Sequence, residues 1–157
     1  MGKLKNDGMF KVSWLPAVAN YASPTVAELN AGVSLELQVT PTGVVTKPTT
    51  ADVETSALAS EFDTAEPGRS SFELSVEYMR LEGFDPAYNA LYYKAAGVLA
   101  VRRTAPTGTA WASGQTVEIY PAMCKRPEPS TPAKNEVQKM MVGMTLTDDP
   151  EERATVA

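Results

Sequence analysis

Residues 71–81 have the sequence Ser-Phe-Glu-Leu-Ser-Val-Glu-Tyr-Met-Arg-Leu, and this stretch decides the fold class. Apolar and polar side chains alternate along it, as in a strand that has one face in a core and the other face in water. The predicted apolar face consists of Phe72, Leu74, Val76 and Tyr78. The predicted wet face carries Glu73, Ser75 and Glu77.

The same alternation recurs along the chain and predicts about seven strands. Its most regular example is 33–40, where the predicted apolar face consists of Val33, Leu35, Leu37 and Val39. The remaining predicted strands lie at 9–15, 53–58, 98–103, 115–121 and 135–147. Alternating hydrophobicity is typical of antiparallel sheets, so we predict a mainly β fold: an antiparallel β-sandwich or barrel with one flanking α-helix.

Two segments have helical signals. In 23–32, a capping residue, an early proline, an acid in the first turn and a closing glycine predict a short helix. Asp85 and Pro86 begin a longer predicted helix, which Gly97 ends. Its apolar stripe at helical spacing is expected to pack on the sheet and consists of Tyr88, Leu91, Tyr92 and Ala95.

The chain length of 157 residues fits a single domain, 1–157, with short terminal arms. The segment 41–68 has little regular pattern and exceeds a usual connection, so we predict a long loop with a functional role there. A second predicted loop, 122–136, is rich in proline, which disfavours pairing in a sheet.

The composition argues against enzyme chemistry. Histidine is absent and Cys124 is the single cysteine, which excludes a Ser-His-Asp set, an intrachain disulfide and a zinc finger. The sequence has no glycine-rich phosphate-binding motif, and its paired acids lie in turn-like or terminal stretches. We therefore predict no enzyme activity, no cofactor and no bound metal.

Charge and hydropathy give two further expectations. Fourteen basic and nineteen acidic side chains give a net charge of −5, and such a surface is a poor primary binder of duplex DNA. The chain has no run of ~18 apolar residues and no apolar N-terminal run of signal-peptide length. We expect a soluble protein that is made in a cytoplasm and does not bind a membrane.

Arg102, Arg103 and Trp111 are candidate inter-subunit residues. Arg102 and Arg103 lie at a strand end, and we expect one of them to pair with a carboxylate and the other to be solvated. Trp111 lies in a Gly-Thr-Ala-Trp-Ala-Ser-Gly loop, where core packing and contact with a neighbouring subunit agree equally well with the sequence.

The order of these elements resembles that of the major tail tube proteins of long-tailed, siphovirus-type phages, particularly phages of actinobacterial hosts. The resemblance covers nearly the whole chain. It rests on the first strand with Trp14, the Ser-Pro-Thr-Val-Ala-Glu-Leu-Asn-Ala-Gly turn at 23–32, the strand at 33–40, the Glu-Pro-Gly before 71–81, the strand–helix–strand around 86–97, the run at 97–103 and the strands at 115–121 and 135–147.

The resemblance implies a structural virion protein that is assembled in the host cytoplasm and forms stacked hexameric rings. Strands of six subunits together line a hollow tube that conducts genomic DNA. The implied partners are further copies of the chain, a tape measure protein, a tail terminator and tail tip proteins. We expect 41–68 and 122–136 to contact adjacent subunits or rings.

The wet faces of two predicted strands are candidates for the lumen surface, where acidic side chains would repel DNA phosphates. The candidate lumen residues are Glu36, Gln38, Glu73, Ser75 and Glu77. Two alternatives stay open. One is another ring-forming virion protein, such as a tail terminator, a head–tail connector or the inner tube of a contractile device. The other is a monomeric β-sandwich binding module, for instance one that binds carbohydrate.

Overall fold

The computed structural model describes residues 2–157, which form nine β-strands and two five-residue helices. The strands are β1 (Lys11–Leu15), β2 (Val33–Ser34), β3 (Val39–Glu54), β4 (Ala65–Met79), β5 (Ala96–Arg102), β6 (Thr116–Cys124), β7 (Glu128–Pro129), β8 (Lys139–Leu146) and β9 (Glu151–Thr155). The helices are α1 (Val26–Asn30) and α2 (Pro86–Ala90). Among residues 2–157, no helix has the length and apolar character that crossing a membrane requires.

The nine strands of this described region form one antiparallel sheet in the order β2-β1-β5-β6-β8-β4-β3, with β9 paired to β6 and β7 paired to β8. The predicted mainly β, antiparallel fold is confirmed. The sheet curls without closing into a barrel, and the segment 35–38 bridges its two ends. The Leu35 amide donates to the Val12 carbonyl at 2.8 Å, and the Met79 amide donates to the Gln38 carbonyl at 2.8 Å.

The central strands are covered on both faces. Inside the curl, one apolar cluster joins β4, β5, β6 and β8 to α2 and includes Leu74 and Leu99. On the opposite face, a second cluster lies under α1 and β9 and includes Leu15 and Val98. Because β5 is buried on both faces, its sequence Ala-Gly-Val-Leu-Ala-Val-Arg is almost continuously apolar instead of alternating.

The short helix predicted at 23–32 is confirmed as α1. Thr25 caps it: its hydroxyl accepts from the Glu28 amide at 3.2 Å, and Oε1 of Glu28 accepts from the Thr25 amide at 3.0 Å. Oε2 of Glu28 accepts from the Ala19 amide at 2.7 Å, which ties the preceding turn to the helix. The hydrogen bonds from the Thr25 and Ala19 amides lower the pKa of Glu28.

The predicted strand at 33–40 is wrong at residues 35–38, which separate β2 from β3. β2 ends at Ser34, and in the turn that follows the amides of Gln38 and Val39 both donate to the Leu35 carbonyl at 3.0 Å. Leu35 is buried whereas Leu37 is 87% exposed, so these two residues do not share a face. The backbone hydrogen bonds of the turn therefore override the side-chain alternation.

The prediction of a long loop at 41–68 is also wrong. β3 extends through this segment to Glu54 and pairs with β4, so that 53–54 end a long strand instead of beginning a short one. Near the start of β3 the ladder has an irregularity between Val39 and Val44. Gly43 permits it, because a Cβ there would lie 2.4 Å from the Glu77 carbonyl oxygen.

The predicted helix at 85–97 ends early, at Ala90. Lys94 adopts a left-handed φ of 65°, and its amide donates to the Cys124 carbonyl at 2.9 Å, so pairing with β6 replaces the helix. The predicted apolar stripe is split into two buried and two exposed residues, which are Leu91 with Ala95 and Tyr88 with Tyr92.

The C-terminal region differs from the prediction in the start of β8, in the end of β6 and in the presence of β9. β8 begins at Lys139 instead of residue 135, and residues 122–124 of the predicted Pro-rich loop complete β6. The acidic stretch 148–152 includes the first two residues of β9, which pairs with β6. Ala154 and Val156 of this last segment are buried in the second cluster.

Gln38 and Asp85 join the 35–38 turn to α2. Nε2 of Gln38 donates to Oδ1 of Asp85 at 2.7 Å, and its Oε1 accepts from the Ala87 amide at 3.2 Å. Oδ2 of Asp85 accepts from Nε of Arg80 at 2.8 Å and from the Leu81 amide at 3.1 Å. Burial acts to raise the pKa of Asp85, but these hydrogen bonds outweigh burial and hold the pKa below its usual value.

Replacing this carboxylate tests the network. Asp85→Asn is expected to lower the free energy of unfolding at pH 7 by about 1–3 kcal/mol, because charge-assisted hydrogen bonds are lost. Since folding lowers the pKa of Asp85, its stabilisation is present above the unfolded-state pKa and is lost as pH falls through the folded-state pKa. Urea denaturation of both proteins at several pH values should show their difference shrinking in acid. A difference that stays constant or grows in acid contradicts this assignment.

Candidate assembly surfaces

The polar side of β4 is the first candidate surface. Glu73, Ser75 and Glu77 point away from the apolar cluster inside the curl, and all three are exposed or half-buried. β3 places Lys47 opposite Glu73, and β8 places Gly143 opposite Ser75. Three of the five predicted lumen residues therefore share one solvent-facing surface, which we call the β4 face.

The other two predicted lumen residues lie elsewhere. Gln38 is 3% exposed and belongs to the Asp85 network, so its side chain does not face a lumen, and the prediction is corrected. Glu36 lies in the 35–38 turn, where its side chain is 10% exposed and pairs with Lys11 at 3.3 Å. Both errors have one cause: a turn does not place alternate side chains on one face as a strand does.

Arg102 is fully buried inside the chain, which corrects its prediction as an inter-subunit residue. Its terminal nitrogens donate to the carbonyls of Pro106 and Thr109 at 2.8 Å and of Ala110 at 3.3 Å. The guanidinium lies 5.1 Å from the centre of the Trp111 ring. Arg102 thus holds the β5–β6 loop against the second cluster, and burial lowers its pKa.

Trp111 and Arg103 have different surroundings. Trp111 packs in the second cluster and is 5% exposed, so its side chain belongs to the core and its inter-subunit prediction is corrected. Arg103 forms an ion pair with Glu118 and donates to the Thr46 hydroxyl at 3.2 Å. The expectation that one arginine pairs with a carboxylate is confirmed, whereas Arg102 is buried instead of solvated. Arg103 is half-buried and stays a candidate contact residue.

β3 and β4 continue beyond the rest of the sheet as a two-stranded ribbon, residues 47–73, which we call the arm. β8 pairs with β4 along 74–79, and within residues 2–157 no strand pairs with the outer edges of the arm. Nearly every residue from 47 to 67 is exposed. Hydroxyl groups link the two strands, between Thr50 and Ser70 at 2.8 Å and between Thr55 and Thr64 at 2.9 Å.

The arm tip, residues 55–64, combines apolar and acidic side chains. Leu58 is fully exposed and Phe62 is 81% exposed. The surrounding stretch 52–66 contains five acidic side chains and no basic one. The tip is ordered by Ser56, whose hydroxyl accepts from the Thr64 amide at 2.6 Å. Two large apolar side chains are thus exposed to water at the end of the arm.

A groove of about 500 Å³ lies where the two ends of the sheet approach each other, and we call it the seam groove. Its apolar lining consists of Phe10, Val12, Leu37, Val39, Pro41 and Val44. Glu36 also lines the groove. Its Oε2 atom is buried and receives no hydrogen bond from the described residues, 2–157.

The described residues offer little to catalysis. Among residues 2–157, no group of three or more His, Cys, Asp or Glu side chains is placed to hold a metal ion. Burial raises the pKa of Cys124 to about 11, so its thiol is protonated at neutral pH and is a poor nucleophile.

The described residues thus combine a packed antiparallel body, an extended ribbon and an apolar groove. The chain belongs to the phage tail tube protein family, whose sequence model matches residues 1–157. This family is one of structural tail proteins and not of enzymes, and membership indicates a component of the virion. No curated protein sequence matches the chain.

Two solved structures have a similar fold. A chain in the cryo-EM structure of the anti-feeding prophage baseplate, 6-fold symmetrised, aligns with a TM-score of 0.63 at 8% identity and covers 98% of both chains. A chain in the sheath/tube terminator structure of the extracellular contractile injection system PVC aligns with a TM-score of 0.65 at 11% identity. That alignment covers 98% of this chain and 99% of the other. At these identities the likeness concerns the fold alone.

The arm tip and the seam groove were not predicted from the sequence. One signal for the arm was available: residues 44–55 are rich in Val and Thr, which favour strands. Two isolated apolar residues among acids, Leu58 and Phe62, also marked the tip. The groove had no such signal, because it forms from segments that are distant in sequence.

The role of Arg102 in stability can be tested against its neighbour. Arg102→Lys is expected to lower the free energy of unfolding by about 2–4 kcal/mol, because buried carbonyls of the β5–β6 loop lose their donors. Arg103→Lys, at a half-exposed ion pair, is the matched control and should cost less than about 1 kcal/mol. Urea denaturation measures both. Equal losses in the two variants contradict the assigned role of Arg102.

Proposed function

We propose that this protein is the tail tube subunit of a long-tailed, siphovirus-type phage of an actinobacterial host. Its copies form hexameric rings, the rings stack into a hollow tube, and the tube conducts genomic DNA into the host. Assembly takes place in the host cytoplasm, and the protein has no catalytic role. The family match supports the tail tube, and the arm is the observation that supports assembly through this chain's own surfaces.

The arm needs a partner for a physical reason. A two-stranded hairpin without an apolar face to pack is at best marginally stable in water. From Lys47 to Glu54 alone the arm extends about 23 Å at ~3.3 Å per residue, which is enough to reach a neighbouring subunit. The edges of its strands offer backbone donors and acceptors to that neighbour. The arm takes the role that the sequence suggested for the segment 41–68.

The β4 face is the surface proposed to line the lumen. It combines Glu73, Ser75 and Glu77 with the small residue Gly143, so it presents acids and hydroxyls on a surface of low relief. Carboxylates repel DNA phosphates, which favours passage over binding. Lys47, opposite Glu73, offsets part of that charge. A reconstruction of the tube with Glu73 and Glu77 on its outer wall would remove this part of the proposal.

The proposed partners are further copies of the chain, a tape measure protein, a tail terminator and tail tip proteins. One alternative keeps specific support. One structural neighbour comes from the sheath/tube terminator structure of a contractile injection system, which makes an inner tube or a terminator of a contractile tail the second candidate.

Shortening the arm tests the proposal directly. Replacement of residues 50–70 by Asn-Gly joins Thr49 to Ser71, which face each other across the hairpin, through a two-residue turn. The body makes its core without these residues, so we expect a folded protein with a similar unfolding midpoint. The wild-type protein is expected to form rings and tubes and the shortened protein to form neither, and electron microscopy of both proteins is the measurement.

A second variant tests whether the length of the arm alone is sufficient for assembly, without its sequence. A Gly/Ser linker of the same length in place of residues 50–70 should also abolish tubes, because it provides neither ordered strand edges nor apolar side chains. Tubes of normal length from the shortened arm would contradict the role of the arm. Dispersed wild-type monomers under all assembly conditions would contradict the proposed function itself.

A further inference from the structure

We propose that the arm tip of one subunit docks in the seam groove of a second copy, with Leu58 and Phe62 against the apolar lining of the groove. The inference rests on the proposed function, because it names the site on the neighbouring subunit that receives the arm.

The arm tip presents its apolar side chains outward in a fixed shape. Thr55 and Thr64 close the base of the tip through their hydroxyl groups, and the Ser60 amide donates to the Ala57 carbonyl at 3.0 Å. An ordered turn that exposes two large apolar side chains is typical of a contact surface, since burial of each one from water is favourable.

The arm tip cannot reach the seam groove of its own chain. Val44 lines the groove, and the paired strand from Val44 to Glu54 carries the tip about 33 Å away at ~3.3 Å per residue. Folding the tip back would break the β3–β4 ladder. An arm tip that occupies the groove must therefore come from a second copy of the chain.

The groove matches the tip in its apolar character. Its six apolar residues offer a surface for Leu58 and Phe62. The groove wall carries Asp7, Glu36 and Arg103, and the segment that leads into it exposes Lys3 and Lys5, which complement the five acids of residues 52–66. A backbone amide of the docked tip can also donate to Oε2 of Glu36, the buried acceptor in the groove wall.

The other cavity of comparable size is a poorer match. It has a volume of about 420 Å³ and lies beside the 129–140 loop. Hydroxyl and charged groups contribute much of its lining, including Ser130, Thr131 and Lys139. Apolar side chains from an acidic tip are better accommodated by the seam groove.

Docking of a tip in a groove joins two different surfaces. Such a heterologous contact leaves a vacant groove on one subunit and a vacant tip on the other, and where the rotation between subunits does not close a ring, the same contact repeats without limit. Repetition of this kind is what stacking of rings requires.

Cysteine cross-linking between two variants tests the contact. Phe62→Cys subunits are mixed with Leu37→Cys subunits, assembled and oxidised under mild conditions. We expect covalent dimers in the mixed tubes, because both residues are exposed in the free subunit and adjacent in the assembly. The native Cys124 is buried and should not contribute.

The matched control replaces Leu37→Cys by Phe84→Cys, at a residue that is also exposed but lies next to α2. Tubes without a 62–37 dimer, or with an equal yield of a 62–84 dimer, overturn the docking site and leave the proposed function standing. Absence of wild-type tubes overturns both.

A second pair keeps the test independent of a single substitution. If Phe62→Cys or Leu37→Cys prevents assembly, Leu58→Cys with Pro41→Cys should give the same dimer, and its absence from tubes counts against the docking site. Leu58→Ser with Phe62→Ser should raise the concentration needed for tube formation at least ~100-fold, as expected when two apolar side chains no longer leave water. An unchanged threshold overturns the inference.

Discussion

A sheet that does not close on itself has two edge strands, and one of them in this protein, β3, is 16 residues long. Such an edge offers backbone donors and acceptors to any other chain. The arm contains the usual protection against unspecific pairing: Pro48 and Pro67 each remove a donor, and charged side chains such as Lys47 and Arg69 flank them. The edge therefore favours a specific partner over aggregation.

The body of the subunit is organised so that the arm has a fixed base. The Phe72 ring packs against the Tyr120 ring at a tilt of 60°, with ring centres 5.6 Å apart, and Arg103 donates to Thr46, next to the first residue of the arm. The 35–38 turn closes the open side of the sheet through Gln38 and Asp85. A rigid base lets a ribbon that lacks its own core present a defined surface at its far end, which favours ring-to-ring contact.

The sequence predicted those parts of the fold in which side-chain period and backbone pairing agree. The strand at 71–81 and the capped turn at 23–32 are of this kind, and three residues of the first give the β4 face. The prediction for 33–40 was wrong because backbone hydrogen bonds to the Leu35 carbonyl form a turn there, although apolar and polar side chains alternate regularly along the segment. The arm escaped prediction because a ribbon exposed on both faces needs no apolar period, and the seam groove joins segments that only the topology brings together.

The central claim is that the arm is completed by another subunit. Hydrogen–deuterium exchange of the arm amides, in free subunits and in assembled tubes, tests it most directly. The account predicts fast exchange along residues 47–70 in the free subunit and strong protection in the tube, whereas the amides of β5 are protected in both states. Arm amides that exchange equally in the two states, whether fast or slow, would contradict it.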